Sequence, residues 1–460
     1  MESVIIAGGG PTGLMLACEL RLAGVDVLVL ERLAAPSGES RAGGIHARTM
    51  EVLDQRGMLA PFLAEGRPLQ SGHFAGLWLD FSGFETRYPF LLAILQRRVE
   101  RLLEEHALAL GVRLRRAVTV TGLTEQASSV TVETTAGRFE AAFVVGCDGG
   151  RSTVRRLAGI DFPGTAATMT AILGDVELSA PPPESVFQQR RPLGNYSVLS
   201  FEPGWYRVTT NEFGPVADRD SPITVEELRS ALIRIAGTDF GLHSPRWISR
   251  YNDTARQAAA YRSGRVLLAG DAAHIHYPAG GQGLNTGLQD AVNLGWKLAM
   301  VVQGRAPDAL LDTYQSERHP VGARVLANTR AQTALTRPDA QTEALRTILG
   351  DLITRAEVNT TLGLMITGLD IRYDLGGPSP VGQRVPDYDL PDGTRLYQHL
   401  HAGRPILSTG PATPRPAGVD IVDGGRDGLL IRPDGHVAWA EPMGGEALRS
   451  ALERWCVPQL

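Results

Sequence analysis

Sulfur is scarce in this chain: three cysteines in 460 residues, Cys18, Cys147 and Cys456, with no CxxC pair. An odd, scattered set argues against a disulfide framework and a thiolate metal centre, and it fits a reducing cytoplasm. Cys147, closing an apolar run, reads as a small buried residue. No apolar run reaches the roughly 18 residues of a membrane span and no signal-peptide pattern is present, so neither targeting nor a membrane partner is expected. Charge of one sign is missing too. Lys plus Arg number 45 against 50 Asp plus Glu, a net −5, so nothing argues for a basic nucleic-acid surface or an acidic tail and no nucleic-acid partner is expected. There is no repeat of fixed period, no Ser-His-Asp set and no carboxylate pair. His274 and His276 stand two apart without a third ligand at suitable spacing, so no metal is expected and both imidazoles read as braces for backbone.

What is present is enzyme-like. A chain of this length exceeds one ordinary core and implies two or three domains. Residues 3 to 31 read as strand, glycine turn, helix and strand, with Gly8, Gly10 and Gly13 in G-x-G-x-x-G between the first two. Such glycines allow a tight turn and close approach to a pyrophosphate, which the helix N-terminus attracts. Glu31 ends the second strand, where a carboxylate can take both hydroxyls of a ribose. In "FVVGCDGGRSTVRRLAG" an apolar strand ends at Asp148; a contact near a dinucleotide and a plain turn capped by Ser152 are equally open. In "GDAAHIHYPAGGQGLN" a strand delivers Asp271 at its C-terminal end, where doubly wound folds bind ligands. Gly280, Gly281 and Gly283 let backbone lie against a flat ring, and the helix that follows starts near Gly283 or Leu284 with its N-terminus favouring negative charge.

The expected fold class is α/β. A Rossmann-like dinucleotide domain with a helical extension takes 1–70, 94–167 and 260–370, and an inserted antiparallel-sheet domain takes 71–93 and 168–259. The Gly-, Pro- and Asp-rich 371–394 reads as a linker, and 395–460 as a small third domain.

The three motifs, in this order, resemble the single-component FAD-dependent aromatic hydroxylases of the p-hydroxybenzoate hydroxylase superfamily. "GESRAGGIHARTMEVLDQRG", "VGCDGGRSTVRR" and "YQSERHPVGARVL" resemble more closely the actinomycete angucycline- and anthracycline-type polyketide hydroxylases and the rifampicin monooxygenases, over essentially the whole chain. The resemblance implies FAD as bound cofactor, NADPH or NADH as reductant, O2, and hydroxylation of a small aromatic polyketide through a flavin C4a-hydroperoxide. It places Gly8, Gly10, Thr12 and Gly13 at the pyrophosphate, Glu31 and Arg32 at the adenosine ribose, and Arg41, Gln96 and Val120 at further FAD contacts. Asp148 falls in the motif shared between FAD and nicotinamide functions, Asp271 at the ribitol, and Gly281, Gln282, Gly283, Leu284 and Asn285 at the pyrimidine edge of the flavin. Pro278 and Tyr277 would border the reactive carbon. Tyr277 departs from the family's usual proline or leucine, so the pocket shape there is in question. Arg190 and Arg207 match positions that meet ligand in rifampicin monooxygenases, although solvated strand-edge arginines would look the same. His46 and Arg48 read as loop-fixing. The last domain resembles a thioredoxin-like domain, abbreviated and without CxxC, which implies a structural or assembly role in a monomer or homodimer. Baeyer–Villiger oxygenation of a polyketide ketone and non-catalytic antibiotic binding are the competing readings.

Overall fold

A computed structural model describes residues 1–184, 186–218, 221–409, 418–423 and 428–456. The apolar N-terminal run forms β1 (Glu2–Ala7), followed by α1 (Pro11–Leu22) and β2 (Val27–Leu30). Pro11 sits in the first turn of α1, where its missing N–H is harmless. Then come α2 (Gln96–Ala109), β3 (Arg113–Arg115), β4 (Gly137–Gly146) and β5 (Val266–Leu268). The parallel strands lie in the order β3-β2-β1-β4-β5, so the chain reverses direction across the sheet between β1 and β4. That switch point is where an open α/β sheet leaves a crevice beyond its strand ends. Val4, Ile5, Ile6 and all of β2 are buried in one core that takes in α1, α2 and the antiparallel strands 120–125 and 130–134. Another helix of that core is α3 (Gln282–Val302), which crosses α1 closely: a Cβ on Gly287 would meet Thr12 Oγ1 at 2.4 Å, and one on Gly295 would meet Glu19 Cβ at 2.4 Å.

The inserted domain is a five-stranded antiparallel sheet in the order 186–191, 194–202, 205–213, 169–178, 242–252. One face is closed by the helix Val225–Ala236, whose Leu228, Ala231, Leu232 and Ile235 pack on Ile172, Val176, Val198 and Val208. The chain continues through α4 (Asp312–Ala334), α5 (Ala340–Ile353) and α6 (Ala356–Thr367). The last sheet has the order 420–423, 406–409, 429–431, 437–440, a parallel pair followed by an antiparallel hairpin, closed by the helix Gly444–Trp455. This is a thioredoxin-like sheet in short form.

Two segments depart from the expected division. Residues 71–93 do not join the inserted sheet: the hairpin Ser71–Phe74 with Leu77–Asp80 packs Phe74, Leu79, Phe81 and Phe84 against Leu335, Ile353 and Ile366, and Leu91–Ala93 pairs with 44–45 and 67–69. Their aromatic side chains find an apolar partner in the helices, which strand-like spacing cannot reveal. Residues 371–394 are not a free linker. Tyr373, Val381, Val385 and Leu390 are buried, and the Gly382 and Gln383 backbone hydrogen-bonds Val437. Glycines and prolines there build packed turns.

Candidate active site

The three motifs meet around one cleft of about 1660 Å³ at the C-terminal ends of the parallel strands. Gly8, with φ +109°, lies against β4: a Cβ there would stand 2.3 Å from the Cys147 carbonyl oxygen. A Cβ on Gly13 would stand 2.0 Å from the Gly8 oxygen, so these two glycines serve the protein's own backbone. Gly10 differs: its Cβ position has nothing within 4 Å, and as N-cap of α1 it brings no side-chain cap. The first N–H groups of α1 therefore open on the cleft unpaired. Glu31 braces the same turn, Oε2 accepting from Gly9 N (2.7 Å) and Oε1 from Leu33 N (2.8 Å). Arg32, Arg41, Gln96 and Val120 line the adjoining wall. Gln96 Oε1 accepts from Ala42 N at 3.0 Å, and Arg41 donates to Ser249 Oγ at 3.2 Å, tying the 39–43 loop to α2 and to the inserted sheet.

Asp148 stands in the cleft wall with its carboxylate turned to the short helix behind it, accepting from Thr153 N (2.7 Å), Val154 N (3.1 Å) and the Ser152 hydroxyl. Ser152 in turn accepts from Arg155 N, so the capped turn is real. Arg155, which sequence reasoning passed over, donates to Ala272 O (2.8 Å) and Gly150 O (3.1 Å), its guanidinium 3.7 Å from the Phe162 ring centroid. It pins the second motif to the third. The signal lay in the basic VRR run, but nothing local marks which arginine turns inward.

Gly270, at φ +61°, turns the chain out of β5 and presents Asp271 to the cleft, where its exposed carboxylate accepts no hydrogen bond from the described residues. Gly281 caps α3 in the left-handed region without a side-chain cap, so a second set of helix N–H groups faces the cleft beside Gly283 and Leu284. Gln282 and Asn285 point away. Asn285 accepts from His46 N (2.8 Å) and donates to Gly281 O (2.9 Å) and Gly44 O, while Gln282 donates to Ala279 O. His46 Nε2–H donates to Gly280 O at 2.6 Å, and burial holds this imidazole down at about 4. His274 Nε2–H donates to Asp290, and Arg48 pairs with Glu51 and the Asp434 carbonyl. These groups brace backbone. His276 donates from Nδ1 to Tyr277 O at 2.8 Å, which leaves a buried, unpartnered Nε2 in the cleft wall near Gly283.

Toward the inserted sheet the cleft is walled by Leu173, Ile248, Tyr251 and Pro278. Tyr277 stands just behind: its hydroxyl donates to Asn211 Oδ1 (3.1 Å), its ring stacks on Tyr251 at 5.9 Å, and its far side borders a separate pocket of about 190 Å³. The two arginines expected at a ligand reach neither wall. Arg190 binds Glu343 and the carbonyls of Thr336 and Arg337 at the start of α5. Arg207 is buried in a bidentate pair with Asp175 (2.8 and 3.0 Å) and donates to the carbonyls of Arg41 and Ala42. Both are struts, because each guanidinium finds a carboxylate or carbonyls brought close by tertiary folding.

An uncapped glycine turn after β1, an acid closing β2 and a second uncapped helix start across the cleft are the apparatus of an FAD-dependent oxidoreductase. The open Gly10 position, the two sets of unpaired helix amides and the unpartnered Asp271 fit a pyrophosphate, an electron-rich ring edge and a polyol. Narrower still, the chain belongs to the FAD binding domain family, matched over residues 1–329, and carries the C-terminal domain of aromatic-ring hydroxylases over 379–458. It is 48% identical to a 12-dehydrotetracycline 5-monooxygenase/anhydrotetracycline 6-monooxygenase of Streptomyces rimosus, covering 99% of both chains. It is 46% identical to a rifampicin monooxygenase of Streptomyces venezuelae over 99% of this chain and 98% of that one. A solved aromatic hydroxylase from angucycline biosynthesis superposes with a TM-score of 0.93 at 44% identity, covering 100% of both chains.

Proposed function

We propose that this protein is an NAD(P)H- and O2-dependent monooxygenase that hydroxylates an aromatic polyketide of antibiotic type. The observation that carries this reading is the continuity of the cleft from the two uncapped helix starts onto the apolar wall of the inserted sheet. Its volume of about 1660 Å³ exceeds what one drug-sized ligand fills, roughly 300–1,000 Å³, and leaves room for a dinucleotide and a second ring system. Reduced FAD supplies the activation of O2 and the transfer of one oxygen atom. The chain's own residues bind and orient. The amides after Gly10 hold the pyrophosphate, Glu31 exchanges one backbone amide for ribose hydroxyls, and Asp271 takes the ribitol. The amides from Gly281 onward favour negative charge on the pyrimidine edge. Tyr251 and Pro278 wall the substrate side against water, with Tyr277 stacked behind Tyr251. Burial keeps both phenols protonated, Tyr277 raised to about 12 and Tyr251 well above its ordinary value, so they act as neutral donors. No protein nucleophile is required. No helix of the described residues is long and apolar enough to cross a membrane; the scattered cysteines support the reading of a cytoplasmic enzyme.

The test is a comparison of NADPH and NADH oxidation by the FAD-loaded protein with tetracycline-, anthracycline-, angucycline- and rifamycin-type compounds, followed by product mass and NMR. Stimulated oxidation with a gain of one oxygen as a new phenol is expected. Oxygen inserted into a ring C–C bond would assign Baeyer–Villiger chemistry instead, and binding of polyketides without stimulated oxidation would sink the enzymatic reading.

The glycines separate by role. Gly13→Ala should destabilise the fold by about 1–3 kcal/mol, because its Cβ has a backbone carbonyl to displace. Gly10→Ala should leave the melting temperature of the apoprotein unchanged while weakening FAD binding about tenfold, the loss of roughly one charged hydrogen bond. Thermal melts and flavin titration read the two effects apart.

A further inference from the structure

Beneath the third motif lies a chain of fully buried charges that the oxygenation itself does not use. Asp290, about two turns into α3, is 0% exposed and accepts from Gly270 N (3.1 Å), His274 Nε2 (2.6 Å) and Arg318 Nε (2.7 Å). The first two donors flank Asp271. Without Asp290 the Gly270 amide would be orphaned in the core, so this carboxylate sets the direction in which Asp271 leaves β5. Arg318, on α4, also donates to Thr286 O and, at 3.2 Å, to the Tyr373 hydroxyl.

Tyr373 leads out of the enzyme core. Its ring lies 4.2 Å from the His436 ring and 5.4 Å from the Arg432 guanidinium. Both belong to the Arg-Pro-Asp-Gly-His turn 432–436 of the C-terminal domain, which is inserted against the FAD domain: Arg432 donates to both oxygens of Glu317 on α4 (2.8 and 2.7 Å), and Asp434 accepts from Asn293 on α3 (3.1 Å). The Pro433 and Asp434 carbonyls accept from Arg56 and Arg48 at 2.8 Å each.

We propose that the C-terminal domain is a wedge that positions the flavin site. The 432–436 turn seats Tyr373, Tyr373 orients Arg318, and the Arg318–Asp290 pair holds the Gly270–Asp271 turn against the ribitol. Asp290, Arg318 and Tyr373 are positioning residues for FAD. The proposal rests on the FAD reading and supplies a role for a domain that lacks the CxxC of a redox module.

The experiment uses full-length apoprotein. FAD affinity is titrated by flavin fluorescence, visible circular dichroism of the bound flavin is recorded, and apoprotein melts are run alongside. Tyr373→Phe removes one hydroxyl; besides the lower apoprotein melt expected for a lost buried hydrogen bond to a charged group, it should weaken FAD about tenfold and alter the visible dichroism. Asp290→Asn should have a larger effect, and if it does not fold, Tyr373→Phe carries the test alone. Arg404→Gln, which removes an exposed pair with Asp420 in the same C-terminal domain, should match wild type. Wild-type affinity and dichroism in Tyr373→Phe would overturn the proposal, as would a fall in melting temperature with flavin binding untouched. Failure of the unaltered protein to bind FAD would instead sink the FAD reading.

Discussion

Arg432→Ala is expected to lower the free energy of unfolding by about 3–5 kcal/mol, the range for stripping one partner from a buried ion pair. Arg432 is fully buried between Trp296 and Trp455, its guanidinium centre 5.3 and 4.7 Å from their rings, and it donates to the carboxylates of Glu317 and Asp434. Lys297, 2.9 Å from Glu317, is the other cation of that cluster among the described residues. Burial pushes the Glu317 carboxyl up, but Arg432 and Lys297 outweigh it and hold it at about 2. Burial likewise lowers Lys297 to about 8, against the attraction of Glu317. With Arg432 gone, two buried carboxylates face one ammonium. Urea denaturation followed by tryptophan fluorescence measures the loss, since Trp296 and Trp455 flank the site. Arg432→Met combined with Glu317→Gln should recover part of it, because the penalty is the stranded charge more than the missing stem. An unchanged urea midpoint in Arg432→Ala would mean that water reaches these carboxylates.

Acid should unfold this protein from an unusually high pH. Burial lowers His46 and His436 from the ordinary 6.5 to about 4, and each is only 3% exposed. Between those values the unfolded chain binds more protons than the folded one, so stability is full above about pH 6.5 and falls as pH drops toward 4. At about pH 5 the loss is about 2 kcal/mol for each histidine. Glu317 acts lower: its stabilisation holds above the ordinary 4.5 and is lost only as pH falls from there toward 2. The window from about 6.5 to 5 therefore belongs to the histidines. Flavin should be released in the same window, because His46 carries the Gly280 carbonyl at the start of α3. Denaturation midpoints and flavin retention across that range check the prediction, and His436→Gln should reduce the slope without abolishing it, because burial also lowers His73 and His276. A flat stability profile down to about pH 5 would show that neither imidazole is held neutral by burial.

Much of the site was legible because its rules are local. The spacing of Gly8, Gly10 and Gly13 between an apolar strand and a helix can be read without knowing what lies across the chain, and so can Asp271 at a strand end. Arg190 and Arg207 were not legible in this way. An arginine in an alternating strand has the same pattern whether its fork meets a ligand or, as for Arg207, an aspartate 32 positions earlier. The Gly- and Pro-rich 371–394 shows the same ambiguity, since those residues suit a loose connector and a tightly packed turn equally.

Sequence alone determined the local succession of strand, glycine turn and helix around Gly8, Gly10 and Gly13, and the place of Asp271 just beyond a strand. These follow from backbone sterics and side-chain period, which act over a few residues. Tertiary structure alone decided which charges meet. Asp290 with Arg318 lies 28 positions apart, Glu317 with Arg432 115, and Arg48 with the Asp434 carbonyl 386. Burying any one of these groups unpaired would be costly, so each partner is chosen by proximity in the folded core, which no local pattern encodes.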